Sequence, residues 1–219
     1  MIAGCGMPCW AWPERHGKGL LDGLPADVGC SVTKRPGTHH RGERKRTPTL
    51  ASMIENVHER QVRASPAAVG ELLDSLSAKD DRLWPRGEWP SMRLDKPLQV
   101  GAAGGHGPVR YVVESYEPGR SVRFRFTAPS GFHGHHTFTI SEGAGGSAVL
   151  RHELTMTVTG WSRITWPLFF RPLHDALIED SFDRAESEVG KPPSVPARRS
   201  RWVRVLRSLA SGRSNRPSP

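Results

Sequence analysis

Residues 132–189 read FHGHHTFTISEGAGGSAVLRHELTMTVTGWSRITWPLFFRPLHDALIEDSFDRAESEV, and this stretch decides the fold. Two segments with a two-residue apolar period, about 132–141 and 147–159, flank the turn Gly143-Ala144-Gly145-Gly146, which is how an antiparallel hairpin is written. A helical period follows from about Pro172 to Val189 and stops at Gly190 and Pro192-Pro193. At about 100° per residue, His174, Leu177, Ile178, Ser181, Phe182, Ala185 and Val189 share one side of that helix. Asp175, Glu179, Asp180, Asp183 and Glu186 fall on the other, which reads as the solvent side. His174, Ser181 and Ala185 occupy the middle of the apolar arc and point into the fold. A hairpin closing on such a helix predicts a sheet that grips the helix along its apolar face.

Upstream, the elements agree with that picture. Residues 53–63 read as a strand whose alternation is broken by polar residues. Ser65-Pro66 is a helix start, serine capping free N–H groups and proline suiting the first turn. Val69, Leu72, Leu73 and Leu76 follow at helical spacing. From Asp80 to Pro90 the chain is irregular, and each proline of Trp84-Pro85 and Trp89-Pro90 turns its tryptophan away from helix. Strands follow at about 108–117 and 120–127, with a weaker one near 92–102. Gly104-Gly105, Pro118-Gly119 and Pro129-Ser130-Gly131 mark the junctions. Short polar connections imply antiparallel neighbours, so the expected class is α+β with six strands.

The net charge of +9 suggests nucleic acid until it is divided along the chain. Residues 1–50 hold 8 Lys+Arg against 4 Asp+Glu, and residues 191–219 hold 8 against none, which leaves 15 basic and 18 acidic residues between them. A mildly acidic domain has no footprint for phosphate backbones, so no specific nucleic-acid partner is expected. Cys5, Cys9 and Cys30 all lie in the N-terminal arm, so the domain holds no internal disulfide, which suits a cytoplasmic protein. No apolar run is long enough to span a bilayer, and the first residues lack the pattern of a secretory signal.

Three segments result. Residues 1–51 are a basic, Gly- and Pro-rich arm without periodicity, either a flexible tail or an extension upstream of a start at Met53. Residues 52–189 form the folded domain. Residues 190–219 are a Pro-, Arg- and Ser-rich tail in which Trp202, Val205, Leu206 and Leu209 take helical spacing among Arg201, Arg204 and Arg207. That pattern at 198–210 is either a solvated tail or a short basic helix making weak contact with an anionic membrane.

The hairpin permits a register argument. A turn centred on Ala144 sets Ile140 opposite Ala148, Phe138 opposite Leu150 and His136 opposite His152, all on the face that carries Leu154, Met156 and Val158. The outer face pairs Thr137 with Arg151 and His135 with Glu153. Two imidazoles then sit side by side on the inner wall, and His174 points at them from the helix. Three histidines invite a zinc reading. Their spacing is no known ligand motif and no inward carboxylate is evident, so no metal or cofactor is expected and the rings read as cavity histidines. Acid–base work on a bound ligand is the other role open to His136, His152 and His174. Gly101-Ala102-Ala103-Gly104-Gly105-His106-Gly107 lacks the ending of a phosphate loop and leads to a strand. It reads as a tight connection near a cavity mouth. Trp84 and Trp89 either cover that mouth or plug one end of the sheet.

These features resemble a known group. Ser65-Pro66-Ala67-Ala68-Val69 after a first strand, Gly104-Gly105-His106-Gly107 between strands and the long last helix are similar to the helix-grip superfamily. It includes START lipid-transfer domains, pollen-allergen-like proteins and polyketide cyclases or aromatases, the SRPBCC group. The resemblance covers roughly 52–189. It implies a curved antiparallel sheet of seven strands around the terminal helix with an apolar cavity between them. It also implies a second helix, for which only 79–91 has room, and prolines make that helix short or absent. The superfamily has no universal catalytic motif, so no residue role transfers by position.

The expected function is therefore binding or transport of a hydrophobic small molecule, a lipid or polyketide-like compound, in that cavity. The alternative is a cyclase or dehydratase using the cavity histidines. Trp84, Trp89, His106, Tyr111, Phe124, His136, Phe138, His152, Leu154, His174, Ile178 and Ser181 are the expected lining.

Overall fold

Strand β1 (Met53–Val62) alternates without a break, with Ile54, Asn56, His58, Arg60 and Val62 turned inward and every neighbour exposed. The polar residues that seemed to spoil its period are inward-facing members of it. This is seen in a computed structural model that describes residues 53–214, with side chains as far as Leu209. The N-terminal arm with its three cysteines lies outside the described residues.

After β1, helix α1 (Pro66–Asp74) starts where expected, with the Ser65 hydroxyl accepting from Ala68 N–H at 3.3 Å. Its Val69, Leu72 and Leu73, with Leu76 just beyond, are buried against the sheet. The chain from 79 to 91 forms no helix, as the prolines predict. It is organised instead by buried Asp81, whose carboxylate accepts backbone N–H groups of Ser77, Leu83 and Trp84 at 2.8–3.0 Å.

Six more strands complete the sheet: β2 (Arg93–Leu94), β3 (Ala103–His106), β4 (Val109–Glu117), β5 (Ser121–Ala128), β6 (Phe132–Glu142) and β7 (Ala148–Val158). All seven are antiparallel, in the order β1-β7-β6-β5-β4-β3-β2. The weak strand expected near 92–102 is the two-residue β2, and the seventh strand, β3, is found inside the glycine-rich segment. A Cβ on Gly104 would lie 1.9 Å from the Arg93 carbonyl oxygen, and one on Gly105 would lie 2.0 Å from that of Val109. The glycines serve close strand approach, a role that leaves phosphate out of account.

The hairpin register differs from the expected one by two residues. His136 faces Leu154, Phe138 faces His152 and Ile140 faces Leu150; on the outer face Thr137 pairs with Glu153 and His135 with Thr155. The reason is the tip, where Ala144–Gly146 makes a 3₁₀ turn with Gly145 at φ 65°, and Gly143 N–H reaches the Ser147 carbonyl at 2.8 Å. The centre is Gly145, one residue past Ala144. A shift of two keeps every side chain on its expected face, because strand sidedness has period two.

The last helix also begins earlier than Pro172. Helix α2 (Ser162–Thr165) runs through a π-helical turn, Trp166–Phe170, into α3 (Arg171–Glu188). Pro167 stands within that turn and Pro172 at the start of α3, and each withdraws an N–H from the regular ladder, which the wider π spacing accommodates. Lys191 N–H to the Glu186 carbonyl (2.9 Å) and Gly190 N–H to that of Ser187 (3.0 Å) close the end as a Schellman motif.

Leu177, Ile178, Ser181, Phe182 and Ala185 of α3 are buried against Phe124, Phe138, Leu150 and Leu154 of the sheet. Each of the larger apolar side chains, Leu177, Ile178 and Phe182, contributes about 1.5–3 kcal/mol. The acidic side of α3 is not a solvent face. Arg60 pairs with Glu179 (2.5 Å), Asp183 and Glu186 (3.1 Å), and Asn56 and His58 reach Asp175, so β1 binds α3 through polar groups. Helix α4 (Arg201–Ser214) occupies the stretch where the basic amphipathic pattern was read, and it buries Val203 and Leu206. Packing thus continues past the compositional break at 189. Among the described residues no helix is long and apolar enough to cross a membrane.

Candidate functional site: a row of imidazoles between sheet and helix

The site grows from alternation. His136 on β6 and His152 on β7 both occupy inward positions, and His174 sits one turn into α3 on the side facing them. His136 lies between Phe124 and Phe126, each ring 5.0 Å away and nearly parallel, with the Tyr111 ring edge-on at 5.2 Å. His136 Nδ1 is 3.2 Å from His152 Nε2. His152 packs on Phe138 at 4.5 Å and on His174 at 5.0 Å. At the far end His106 meets Trp84 at 4.7 Å and the Tyr111 hydroxyl at 3.2 Å. The row therefore runs Trp84, His106, Tyr111, His136, His152, His174, and its rings meet at contact distance where an apolar cavity was expected.

The nitrogens in this row are poorly served. His136 Nε2, His152 Nδ1 and both nitrogens of His174 are shut from solvent and have no hydrogen-bond partner among the described residues. Burial in apolar surroundings disfavours the imidazolium. It pulls His136 and His152 well below the ordinary histidine value, lowers His174 and brings His106 to about 3. Burial likewise pushes the Tyr111 hydroxyl up. The row is a set of neutral rings at physiological pH, each able to donate from one nitrogen and accept at the other.

The other expected residues divide. Leu154 sits opposite His136 and Ile178 is buried on α3, both beside the row. Ser181 is buried, but its hydroxyl donates to the Leu177 carbonyl at 3.0 Å and is spent inside the helix. Trp84 belongs to the row. Trp89 does not join it: its indole N–H donates to Asp180 at 2.6 Å, and its ring lies under Arg207 (4.7 Å) and Arg199 (5.9 Å).

Sequence reasoning missed His58. On β1 it lies directly opposite His152, with Nδ1 2.7 Å from Glu179 and Nε2 3.3 Å from Asp175. Burial alone would lower its pKa, but the two carboxylates outweigh burial and raise it to about 9. Burial would raise Asp175, yet the nearby His174 ring (3.6 Å) and its bonds from His58 and Asn56 hold it well below the usual carboxylate range. The inward carboxylate judged absent from the sequence is therefore present. Its signal was the even spacing of Asn56, His58 and Arg60 against the four-residue spacing of Asp175, Glu179 and Asp183.

Two surface clefts border α3. One of about 970 Å³ is lined by residues including Pro85, Asp183, Arg184 and Arg199; the other, of about 720 Å³, by residues including Arg171, Asp175, Glu179 and Val203. The second opens onto Asp175.

No protein-family model matches the sequence, and no curated protein matches it. Solved structures do. Norcoclaurine synthase from Thalictrum flavum, in complex with dopamine and hydroxybenzaldehyde, is similar at TM-score 0.50 and 15% identity, over 66% of this chain and 90% of that one. CalU16 from Micromonospora echinospora is similar at TM-score 0.47 and 12% identity, over 73% and 84%. The di-domain ARO/CYC StfQ from the steffimycin biosynthetic pathway is similar at 0.49 and 10%, over 63% and 51%. The seven-stranded antiparallel sheet closed by a long helix is a helix-grip fold. At such identity the likeness carries the fold and leaves the activity to the site.

Proposed function

We propose that the sheet–α3 interior binds a small apolar, ring-bearing molecule that also carries a hydrogen-bonding group. The observation that carries this is the set of four buried imidazole nitrogens on His136, His152 and His174 that have no partner among the described residues and sit amid aromatic rings. A buried polar atom without a partner costs about 1–3 kcal/mol, so a chain that keeps four together is built for something that bonds to them. The rings offer stacking surface and the nitrogens fix orientation, the usual division of labour in a ligand site. Because the row is closed in on itself, binding must part the His152 ring from that of His174.

The test is native mass spectrometry of the purified full chain for a co-purifying small molecule, followed by thermal-shift titration with phenols and aromatic aldehydes. Hydroxybenzaldehyde is a suitable first probe, since the similar norcoclaurine synthase was crystallised with it. The reading requires a saturable shift that His152→Leu abolishes; neither a bound mass nor any saturable shift would sink it. The cyclase or dehydratase alternative is separated from binding by His→Gln variants at 136, 152 and 174. Lost turnover with affinity retained assigns acid–base work, and parallel loss assigns a binding wall.

A second observation favours docking to an anionic bilayer. The Trp202 indole donates to the Leu168 carbonyl at 2.8 Å and packs on Phe169, joining α4 to the π turn. Leu168, Phe169, Trp202, Val205 and Leu209 are all substantially exposed there, α4 has no acidic residue, and Arg201 and Arg204 are exposed on it. Apolar and aromatic side chains with arginines around them suit a headgroup boundary. Co-sedimentation with phosphatidylserine vesicles should be strong at low salt, weaken with salt and fail for a chain ending at Gly190. Equal binding by that shorter chain, or preference for DNA, would defeat it.

A further inference from the structure

A second cluster begins at the last ring of the histidine row, His174, where β1 meets α3. We infer that His58, Asp175 and His174 form a binding site for one divalent transition-metal ion, with zinc as its natural occupant. One donor atom from each residue lies within 4.8 Å of the other two. A tetrahedral zinc with bonds of about 2.0–2.1 Å needs ligand-to-ligand separations of about 3.3 Å. His58 Nε2 to Asp175 Oδ1 is 3.3 Å and His174 Nδ1 to the same oxygen is 3.6 Å, so two edges are already close to that figure.

The surroundings match what such a site needs. His58 Nδ1, the nitrogen not offered to the ion, is bonded to Glu179 at 2.7 Å, the carboxylate–imidazole arrangement that orients a ligating ring. Asp175 is in turn held by the Asn56 amide at 2.9 Å. His174 has no partner on either nitrogen among the described residues, although the Asp175 carboxylate is beside it. The 720 Å³ cleft lined by Asp175 and Glu179 gives the ion a path. All three donors stand on a strand and a helix that Arg60 locks together, so the set is rigid. Two imidazoles and one carboxylate leave a fourth position open, and imidazole-rich sites favour zinc over magnesium or calcium.

This inference shares His174 with the small-molecule reading, and Asp175→Asn, which lies outside the row, tests the metal without touching the row. The alternative for the same residues is a purely ionic network, and the test separates the two. The full chain, stripped with a chelator, is titrated with Co²⁺ and then Zn²⁺. One equivalent of Co²⁺ should give the visible absorption of a four-coordinate nitrogen/oxygen site, displaced by Zn²⁺. Affinity should fall at least about 100-fold in His174→Gln and in Asp175→Asn, and about 10-fold in Glu179→Gln. Zn²⁺ should raise the melting temperature of the parent chain and leave that of Asp175→Asn unmoved. Asp175 is partly exposed, so this variant should still fold; circular dichroism verifies it. No binding at micromolar Zn²⁺, binding unchanged in the variants, or a sulfur charge-transfer band assigning the ion to Cys5, Cys9 or Cys30 would each overturn the inference.

Discussion

His136 and His152 are bonded ring to ring, Nδ1 to Nε2 at 3.2 Å, although the strands do not place them opposite each other. They are diagonal neighbours, two positions out of register, and the long imidazoles bridge the gap across the inner face. Each ring has one nitrogen in this bond and one with no partner among the described residues. The pair is thus half satisfied, an arrangement that lowers stability unless a ligand completes it.

Replacing the pair with apolar residues should therefore stabilise the chain. His136→Leu/His152→Leu is expected to melt above either single variant, by roughly 1–3 kcal/mol, because a single replacement strands the partner's bonded nitrogen. A double-mutant cycle in urea measures the coupling. Additive effects would mean the two rings do not depend on each other.

The row also makes stability depend on acid. His106 titrates near 3 in the folded chain against about 6.5 when unfolded. Between those values the unfolded state binds the extra proton, so stability is complete above about pH 6.5 and falls as pH drops, by up to about 1.4 kcal/mol per unit for each such ring. His136 and His152 shift in the same direction. His58 has the opposite sign: its contribution is full below about pH 6.5 and is lost as pH rises through about 9. His106→Gln should flatten the acid limb and leave the alkaline limb alone; an unchanged acid slope would contradict the assignment.

Arg60 neutralises Glu179, Asp183 and Glu186 where β1 crosses α3, and its own side chain is 22% exposed. Arg60→Ala leaves three carboxylates facing one another, and partial screening reduces the penalty to about 1–3 kcal/mol. The loss should shrink at high salt, where repulsion is screened. Chemical denaturation at low and high salt gives the comparison, and an equal loss at both would remove charge from the explanation.

Gly104→Ala drives a Cβ into the Arg93 carbonyl and should cost about 1–3 kcal/mol, with the β2–β3 pairing opened first. Gly145→Asn, at a turn position with free space around it, should cost less than about 1 kcal/mol. Amide exchange of Asp95, whose N–H donates to the Ala103 carbonyl at 2.8 Å, reports the first change. Retained protection there would show that the strands can move apart without harm.

The fold was legible because its signals are local. Ser65-Pro66 set the start of α1, the glycine turn set the β6–β7 hairpin, and Leu177, Ile178 and Phe182 set the buried face of α3. The inward placement of His136 and His152 survived an error in register because the error was even. Three things were out of reach, each for a physical reason. The pairing of Asn56, His58 and Arg60 with α3 joins residues more than a hundred positions apart, which no periodicity records. The early start of the last helix was hidden by prolines that a π turn absorbs. The strand in Gly101–Gly107 was hidden because its glycines serve neighbouring backbone and carry no apolar period.

The order in which β1 finds its partners has a consequence for synthesis. Its sheet neighbour is β7, and its side-chain partners Asp175 and Glu186 lie 119 and 126 residues downstream of Asn56 and Arg60. As the chain leaves the ribosome, α1 and the β4–β6 meander can form at once, while β1 waits as an unpaired edge with a polar inner face. Polar side chains such as Asn56, His58 and Arg60 disfavour adhesion of an unpaired strand to apolar segments. The residues that fasten the two ends of the domain are thus also those that suit its first strand to a long wait for the last helix.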